Sequence, residues 1–213
     1  MNAMRIIGPF APLLLLGIVA GALAFAEDTT KASPPPQKGQ AVAVFAGGCF
    51  WSEQHDFDGV PGIVSIRVGY TGGKTAAPSY EDVSTGATGH LESVRITYDP
   101  KKVSYEALVK HYFRHVDPVS GDGQFCDFGD EYRPFIFVST PQEQEIAQRE
   151  SKAVEAKLGQ KVAVQIAQAG PFWEAEEYHQ DFAKKNPGHY FAYRRGCGRD
   201  ARLAEIQKKL DAK

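Results

Sequence analysis

Cys49 is the residue best placed to do chemistry in this chain. It sits in VFAGGCFWSEQ (44–54), where an apolar run ends in two glycines and a thiol, two large aromatics and a polar stretch follow. Gly47 and Gly48 let the backbone turn sharply and put no side chain over the sulfur. Residues 49 to 57 read as a helix, so the thiol lies at a helix N-terminus, where the macrodipole favours thiolate. Such a thiolate is a soft nucleophile. Phe50 and Trp51 offer an aromatic wall for a small apolar group in a substrate.

A nucleophile needs an acid and hydrogen-bond donors. Glu92 follows the loop TGATGH (85–90) and opens a strand-like stretch. A carboxyl there that points into a cleft is desolvated and stays protonated near neutral pH. Tyr80 and Tyr132 lie in loops and carry hydroxyls able to bond a substrate oxygen. His90 is read as shaping the loop before Glu92, and His179 as orienting its neighbours. The other two cysteines, Cys126 and Cys197, are far from Cys49 in sequence. Three cysteines are too few for a disulfide scaffold, and no CxxC pair points to zinc or a redox helix. His55, His111, His115 and His189 show no metal-ligand spacing with any cysteine, so no metal is expected. Two other classes use the same residues. A cysteine hydrolase or acyl transferase would take His179 or His90 as base, but no oxyanion motif is present. A non-enzymatic redox sensor would form a disulfide and no product.

The surrounding elements read as α+β. Residues 41–46 (AVAVFA), 63–70 (IVSIRVGY), 92–99 (ESVRITYD), 134–139 (PFIFVS) and 162–167 (VAVQIA) are strands. In the third, Val94, Ile96 and Tyr98 share one face. Helices are expected over 104–116 with Ser104 as cap, 140–158 with Thr140 as cap and Pro141 first, and 174–186 (EAEEYHQDFAKKN). Strands separated by helices and short connections fit an α+β sandwich. The stretches 71–90 and 117–133 read as long loops, which in a compact domain are usually functional.

The 213 residues are 43% hydrophobic and 23% charged, which suits one globular domain once any tail is removed. A net charge of −2 gives no basic field for nucleic acid. Residues 1–26 carry one early charge, Arg5, then an apolar run ending in Ala24-Phe25-Ala26, the pattern of a cleaved signal peptide. The alternative is an uncleaved membrane anchor. Export to the periplasm or secretion is expected, with no membrane contact after cleavage. Residues 27–40 (EDTTKASPPPQKGQ) read as a flexible Pro-rich tether, and 41–213 as the domain, with a mobile C-terminal segment.

GGCFW, GVPGIVSIRVGYTGG, PSYEDVSTGATGHLESVRITYDP, DFGDEYR, FWEAEEYHQDF and NPGHY together closely resemble the A-type peptide methionine sulfoxide reductases, over about residues 42–190. The resemblance implies a sandwich around a mixed, largely antiparallel sheet of ferredoxin-like relation. It implies a thiol enzyme that reduces methionine S-sulfoxide, free or in oxidised proteins, without a metal or organic cofactor. By the same match Cys49 is the nucleophile, Glu92 the acid, Tyr80, Tyr132 and Asp127 pocket residues, and a thioredoxin-like protein the reductant. A monomer is expected. Cys197 resembles the family's C-terminal resolving position. Cys126 departs from the pattern, since Asn more usually precedes the pocket aspartate, and Pro134 replaces a small polar residue. Cys197 is expected to resolve Cys49 first, with Cys126 as the less favoured resolver or as a partner of Cys197.

Overall fold

The structure is a computed structural model and describes residues 30–212. The signal-peptide and processing expectations, and residues 27–29 of the tether, lie outside that range. In chain order the elements are β1 (Lys31–Ala32), β2 (Ala41–Ala46), α1 (Phe50–Phe57), β3 (Ile63–Thr71), α2 (Tyr80–Ser84), β4 (Leu91–Tyr98) and α3 (Tyr105–Phe113). Then come the hairpin β5 (Gly123–Gln124) and β6 (Asp127–Phe128), a 3-10 turn at Asp130–Tyr132, β7 (Phe135–Val138) and α4 (Pro141–Leu158). The chain ends in β8 (Gln165–Gln168), β9 (Trp173–Glu174), α5 (Phe182–Lys185), α6 (Pro187–Gly196) and α7 (Arg199–Asp211).

Seven strands form one mixed sheet in the order β1-β9-β3-β4-β2-β7-β8, antiparallel except for the parallel β7–β8 pair. This is the α+β arrangement expected. Period-two alternation divides the core. Ala43 and Phe45 of β2 join Val94 and Ile96 of β4 in the main cluster, which also holds Leu108 and Tyr112 of α3, while Val44 and Ala46 pack with Leu91 and Phe137 in a second cluster. Glu92 has the same parity as Val94, Ile96 and Tyr98, and it pairs across the ladder with Tyr70. On α1, Phe50, Glu53, Gln54 and Phe57 are buried, the i, i+3, i+4, i+7 stripe of a packed helix. α3 and α4 start at the expected caps, Ser104 and Thr140, whose hydroxyls accept from the Ala107 and Glu143 amides at 3.1 Å each.

Four expectations are corrected. Residues 174–186 do not form a helix, although their composition favours one. Glu174 extends β9 and pairs with Arg67 at 3.0 Å, Glu176 takes the Tyr70 hydroxyl and the Tyr80 amide, and Gln180 bonds both the N–H and the carbonyl of Val68. These tertiary partners hold the backbone in turns, and only Phe182–Lys185 remains helical. The tether is docked in part: Lys31 and Ala32 pair with Glu174 and Trp173, and the Ser33 hydroxyl donates to Glu174. The C-terminal segment, expected to be irregular, forms two helices, with Leu203, Ile206 and Leu210 of α7 buried. The strand expected at 162–167 is β8 and runs at 165–168, because its ladder with β7 starts at Gln165 opposite Phe135.

Candidate active site

Cys49 stands at the N-cap of α1, where the GG turn meets the helix. Gly48 adopts φ +91, a conformation natural to glycine, and a Cβ there would lie 2.7 Å from Cβ of Gln124. A Cβ on Gly47 would meet Val116 at 2.5 Å. The two glycines therefore let β2 and α1 close down on the β5 loop. That packing covers the sulfur: Cys49 is only 8% exposed. Burial, with the Glu92 carboxyl beside it, pushes the Cys49 thiol well above the ordinary cysteine range. The resting group is therefore a thiol rather than the thiolate expected.

Glu92 is 3% exposed, and its Oε2 accepts from the Phe50 amide at 3.0 Å. Burial raises its pKa to about 8, against the pull of that amide, and the neighbouring Asp127 and Glu131 charges add to the rise. A carboxyl in this state is a proton donor at neutral pH. Tyr80 opens α2 and Tyr132 ends the 3-10 turn; both are half-buried. Burial raises both phenols. They are therefore held as neutral hydroxyl donors around the thiol and the acid. Asp127 lies at the start of β6 and receives the Cys49 amide.

The aromatic wall is built by α1 and the 174–182 turns. Trp51 stacks on Phe182 with ring centroids 3.6 Å apart and planes 6° from parallel. Its indole N–H donates to His179 Nδ1 at 3.1 Å. The His179 ring also packs against Phe50 at 5.1 Å and Tyr80 at 4.7 Å, so one histidine fixes three pocket rings. His90 takes the Gly73 amide on Nδ1 and faces the Thr75 carbonyl through Nε2 at 2.7 Å. These engagements take the His90 ring and Nδ1 of His179 away from Cys49, which removes the support for a cysteine–histidine hydrolase.

The family model described as "Peptide methionine sulfoxide reductase" matches residues 41–211. The chain belongs to that family. Among curated relatives, peptide methionine sulfoxide reductase MsrA 2 of Caulobacter vibrioides is 48% identical over 194 residues, which is 90% of this chain and 97% of the relative. MsrA of Ligilactobacillus salivarius is 50% identical over 151 residues, 70% of this chain and 88% of the relative. Of solved structures, methionine sulfoxide reductase A of Corynebacterium diphtheriae has a TM-score of 0.63 at 30% identity, covering 76% of this chain and 90% of that one. Reduced Mxr1 of Saccharomyces cerevisiae has a TM-score of 0.66 at 31% identity, covering 75% and 91%. The relatives place the chain among the A-type peptide methionine sulfoxide reductases.

In this family member the structure brings Cys49, Glu92, Tyr80, Tyr132 and Asp127 together, with Phe50 and Trp51 beside them. The two remaining cysteines are joined to each other: Cys126–Cys197 is a disulfide with Cα atoms 4.9 Å apart, and Cys49 is free. The bond in this structure is thus neither Cys49–Cys197 nor Cys49–Cys126. It also engages two of the three members of a potential donor cluster, Cys126, Asp127 and Cys197.

Three site groups escaped the sequence reading. Tyr193 of α6 donates its hydroxyl to Asp127 Oδ2 at 2.5 Å and lies against the Cys49 thiol. Glu53 is a buried carboxyl on the core stripe of α1; burial holds its pKa well above the usual range, and Arg199 opposes that rise. Arg199, itself buried, bonds Asp56 at 3.0 Å and stacks on Phe125, 4.4 Å from its ring centroid. The i, i+4 spacing of Tyr193 and Cys197 was the available signal for the first, and the stripe position of Glu53 for the second.

Proposed function

We propose that this chain reduces methionine S-sulfoxide, free or in oxidised proteins, to methionine, and that a thioredoxin-like dithiol protein recycles it. The observation that carries the reading is the Cys49–Glu92 pair: a buried free thiol beside a carboxyl held protonated to about pH 8. The sulfoxide methyl packs on Phe50 and Trp51, and its oxygen accepts from Tyr80, Tyr132 and Glu92. The Cys49 sulfur attacks the sulfoxide sulfur as Glu92 gives its proton to the oxygen. Collapse releases methionine and leaves the oxygen on Cys49 as a sulfenic acid, so the substrate sulfur is reduced and the cysteine oxidised. Cys197 then condenses with the sulfenic acid and releases water. Cys126 displaces Cys49 by exchange and leaves Cys126–Cys197. The disulfide in the structure and the exposure of Cys126 support that end point, since an external dithiol must reach a sulfur to open it.

The test is a single turnover with racemic methionine sulfoxide on fully reduced protein and no added reductant. One methionine per chain is expected, taken from the S epimer alone. Cys49→Ser should give none, because oxygen is a far poorer nucleophile at sulfur. Methionine from that variant, or equal loss of both epimers, overturns the assignment.

We also propose export. Arg5, the apolar run and Ala24-Phe25-Ala26 support it. N-terminal sequencing of protein from a Gram-negative periplasm should read from Glu27; a retained Met1 in the membrane fraction refutes cleavage.

A further inference from the structure

The mechanism above gives Glu92 one job, to deliver a proton to the sulfoxide oxygen. It leaves the Cys49 proton without a destination. The sulfur attacks from a buried thiol, so that proton must leave as the new bond forms. Glu92 is protonated at that moment and cannot take it. Of the other carboxyl groups beside Glu92, Asp127 and Glu131, Asp127 is the one bonded to Tyr193, whose hydroxyl donates to Oδ2 at 2.5 Å. The same hydroxyl lies against the Cys49 thiol. Tyr193 therefore stands between the proton and the base. Its ring is held edge-on to Trp51, with centroids 6.4 Å apart and planes at 85°. Its helix is tied at the other end too: Cys197 caps α6 one turn after Tyr193 and is bonded to Cys126, the neighbour of Asp127. The disulfide ties both partners together in this form of the protein; when Cys49 attacks, both sulfurs are thiols, and the Tyr193–Asp127 hydrogen bond and the Trp51 contact hold the hydroxyl in place.

We propose that Tyr193 is a catalytic residue that relays the Cys49 thiol proton to Asp127 as Cys49 attacks the sulfoxide. The proposal rests on the reading of Cys49 as the sulfoxide nucleophile. The Cys49 proton passes to the Tyr193 oxygen while the Tyr193 proton passes to Asp127 Oδ2. The freed sulfur electron pair forms the bond to the sulfoxide sulfur. After collapse Asp127 is protonated and Glu92 ionised, and return of one proton from Asp127 to Glu92 resets the site. No outside oxidant or reductant enters this step. Burial raises the Asp127 carboxyl above the usual range, against the Tyr193 hydrogen bond and the Arg199 charge, which makes it a stronger base than a solvated aspartate. The ionisable groups facing this chain are Glu92 from β4, Tyr80 from α2, Glu131 and Tyr132 from the 3-10 turn, and Arg199 from α7.

The experiment compares Tyr193→Phe and Asp127→Asn with wild type in single turnovers of reduced full-length protein across pH 6 to 9. Wild type should be nearly flat below pH 8. Both variants should be slowed ~10- to 100-fold at pH 7, as expected for loss of proton transfer. Their rates should climb from pH 6 to 8 as hydroxide takes over removal of the thiol proton and level off above pH 8 as Glu92 loses its own, and the double variant should be no slower than either one. Alkylation of Cys49 with the Cys126–Cys197 bond intact should move to higher pH in Tyr193→Phe. Slowing with an unchanged pH profile in both variants makes Tyr193 a packing residue and overturns the relay, as does a wild-type rate in either one. If Tyr193→Phe fails to fold, the profile of Asp127→Asn decides alone. A wild type that releases no methionine refutes the nucleophile reading itself, which keeps the two failures apart.

Discussion

Glu92→Gln should give a protein that is more stable and nearly inactive. The folded carboxyl has a pKa of about 8, against an ordinary value of 4.5. The sign follows from linkage. A carboxyl raised on folding costs nothing below pH 4.5, where it is protonated in both states, and the cost grows as pH rises through 4.5 toward 8. At pH 7 the unfolded chain has released the proton and the native site mostly has not, a difference of about 2.5 pH units. That amounts to about 3 kcal/mol of lost stability. Gln has the same shape, keeps an oxygen for the Phe50 amide and never ionises, so it removes this cost. Urea titrations should show the variant's advantage near zero at pH 4.5 and rising to about 3 kcal/mol by pH 7. In rapid-quench single turnovers the variant should be slower by ~10²-fold or more. The wild-type rate should fall about tenfold from pH 7 to pH 9 as the acid deprotonates, and this limb should vanish in the variant. A variant that is destabilised equally at every pH, or that keeps the wild-type rate, refutes a buried protonated Glu92.

Cys197→Ser should release its first methionine normally and then stall with thioredoxin as donor, while dithiothreitol partly restores turnover by reducing the sulfenic acid. If Cys126→Ser alone stalls and Cys197→Ser runs normally, Cys126 resolves Cys49 directly. Gly48→Ala should lose roughly 1–3 kcal/mol in urea unfolding from the strained φ and the clash with Gln124, and its single-turnover rate should fall as Cys49 shifts; an unchanged midpoint contradicts the close approach.

What was legible in the sequence was local or periodic. The caps at Ser104 and Thr140 were recovered because their signals lie within four residues. The Val94, Ile96, Tyr98 alternation named the core face of β4, and extending it by one step buries Glu92. The rest depended on partners distant in the chain. The stretch EAEEYHQDFAKKN has helix-forming composition, but Ser33, Arg67, Val68, Tyr70 and Tyr80 claim its side chains from far upstream. Tyr193 reaches Asp127 across 66 residues, from a segment whose glycines suggested mobility. The same inference from glycine misplaced the sulfur: Gly47 and Gly48 remove side chains, and the space is filled by Gln124 and Val116 rather than by solvent.

Two glutamines change what the sheet can accept as a guest. Among the described residues, β3 pairs with β9 only at Gly69 and Tyr70. Gln180 offers Val68 an amide oxygen for its N–H and an amide N–H for its carbonyl, at 3.0 and 2.9 Å, and Gln54 of α1 caps the Ile66 carbonyl at 3.3 Å. The side chains imitate a neighbouring backbone and use up the bonds by which an unfolded polypeptide adds itself to an open edge. An oxidation-damaged chain, partly unfolded and rich in free amides, finds no template at Ile66 and Val68.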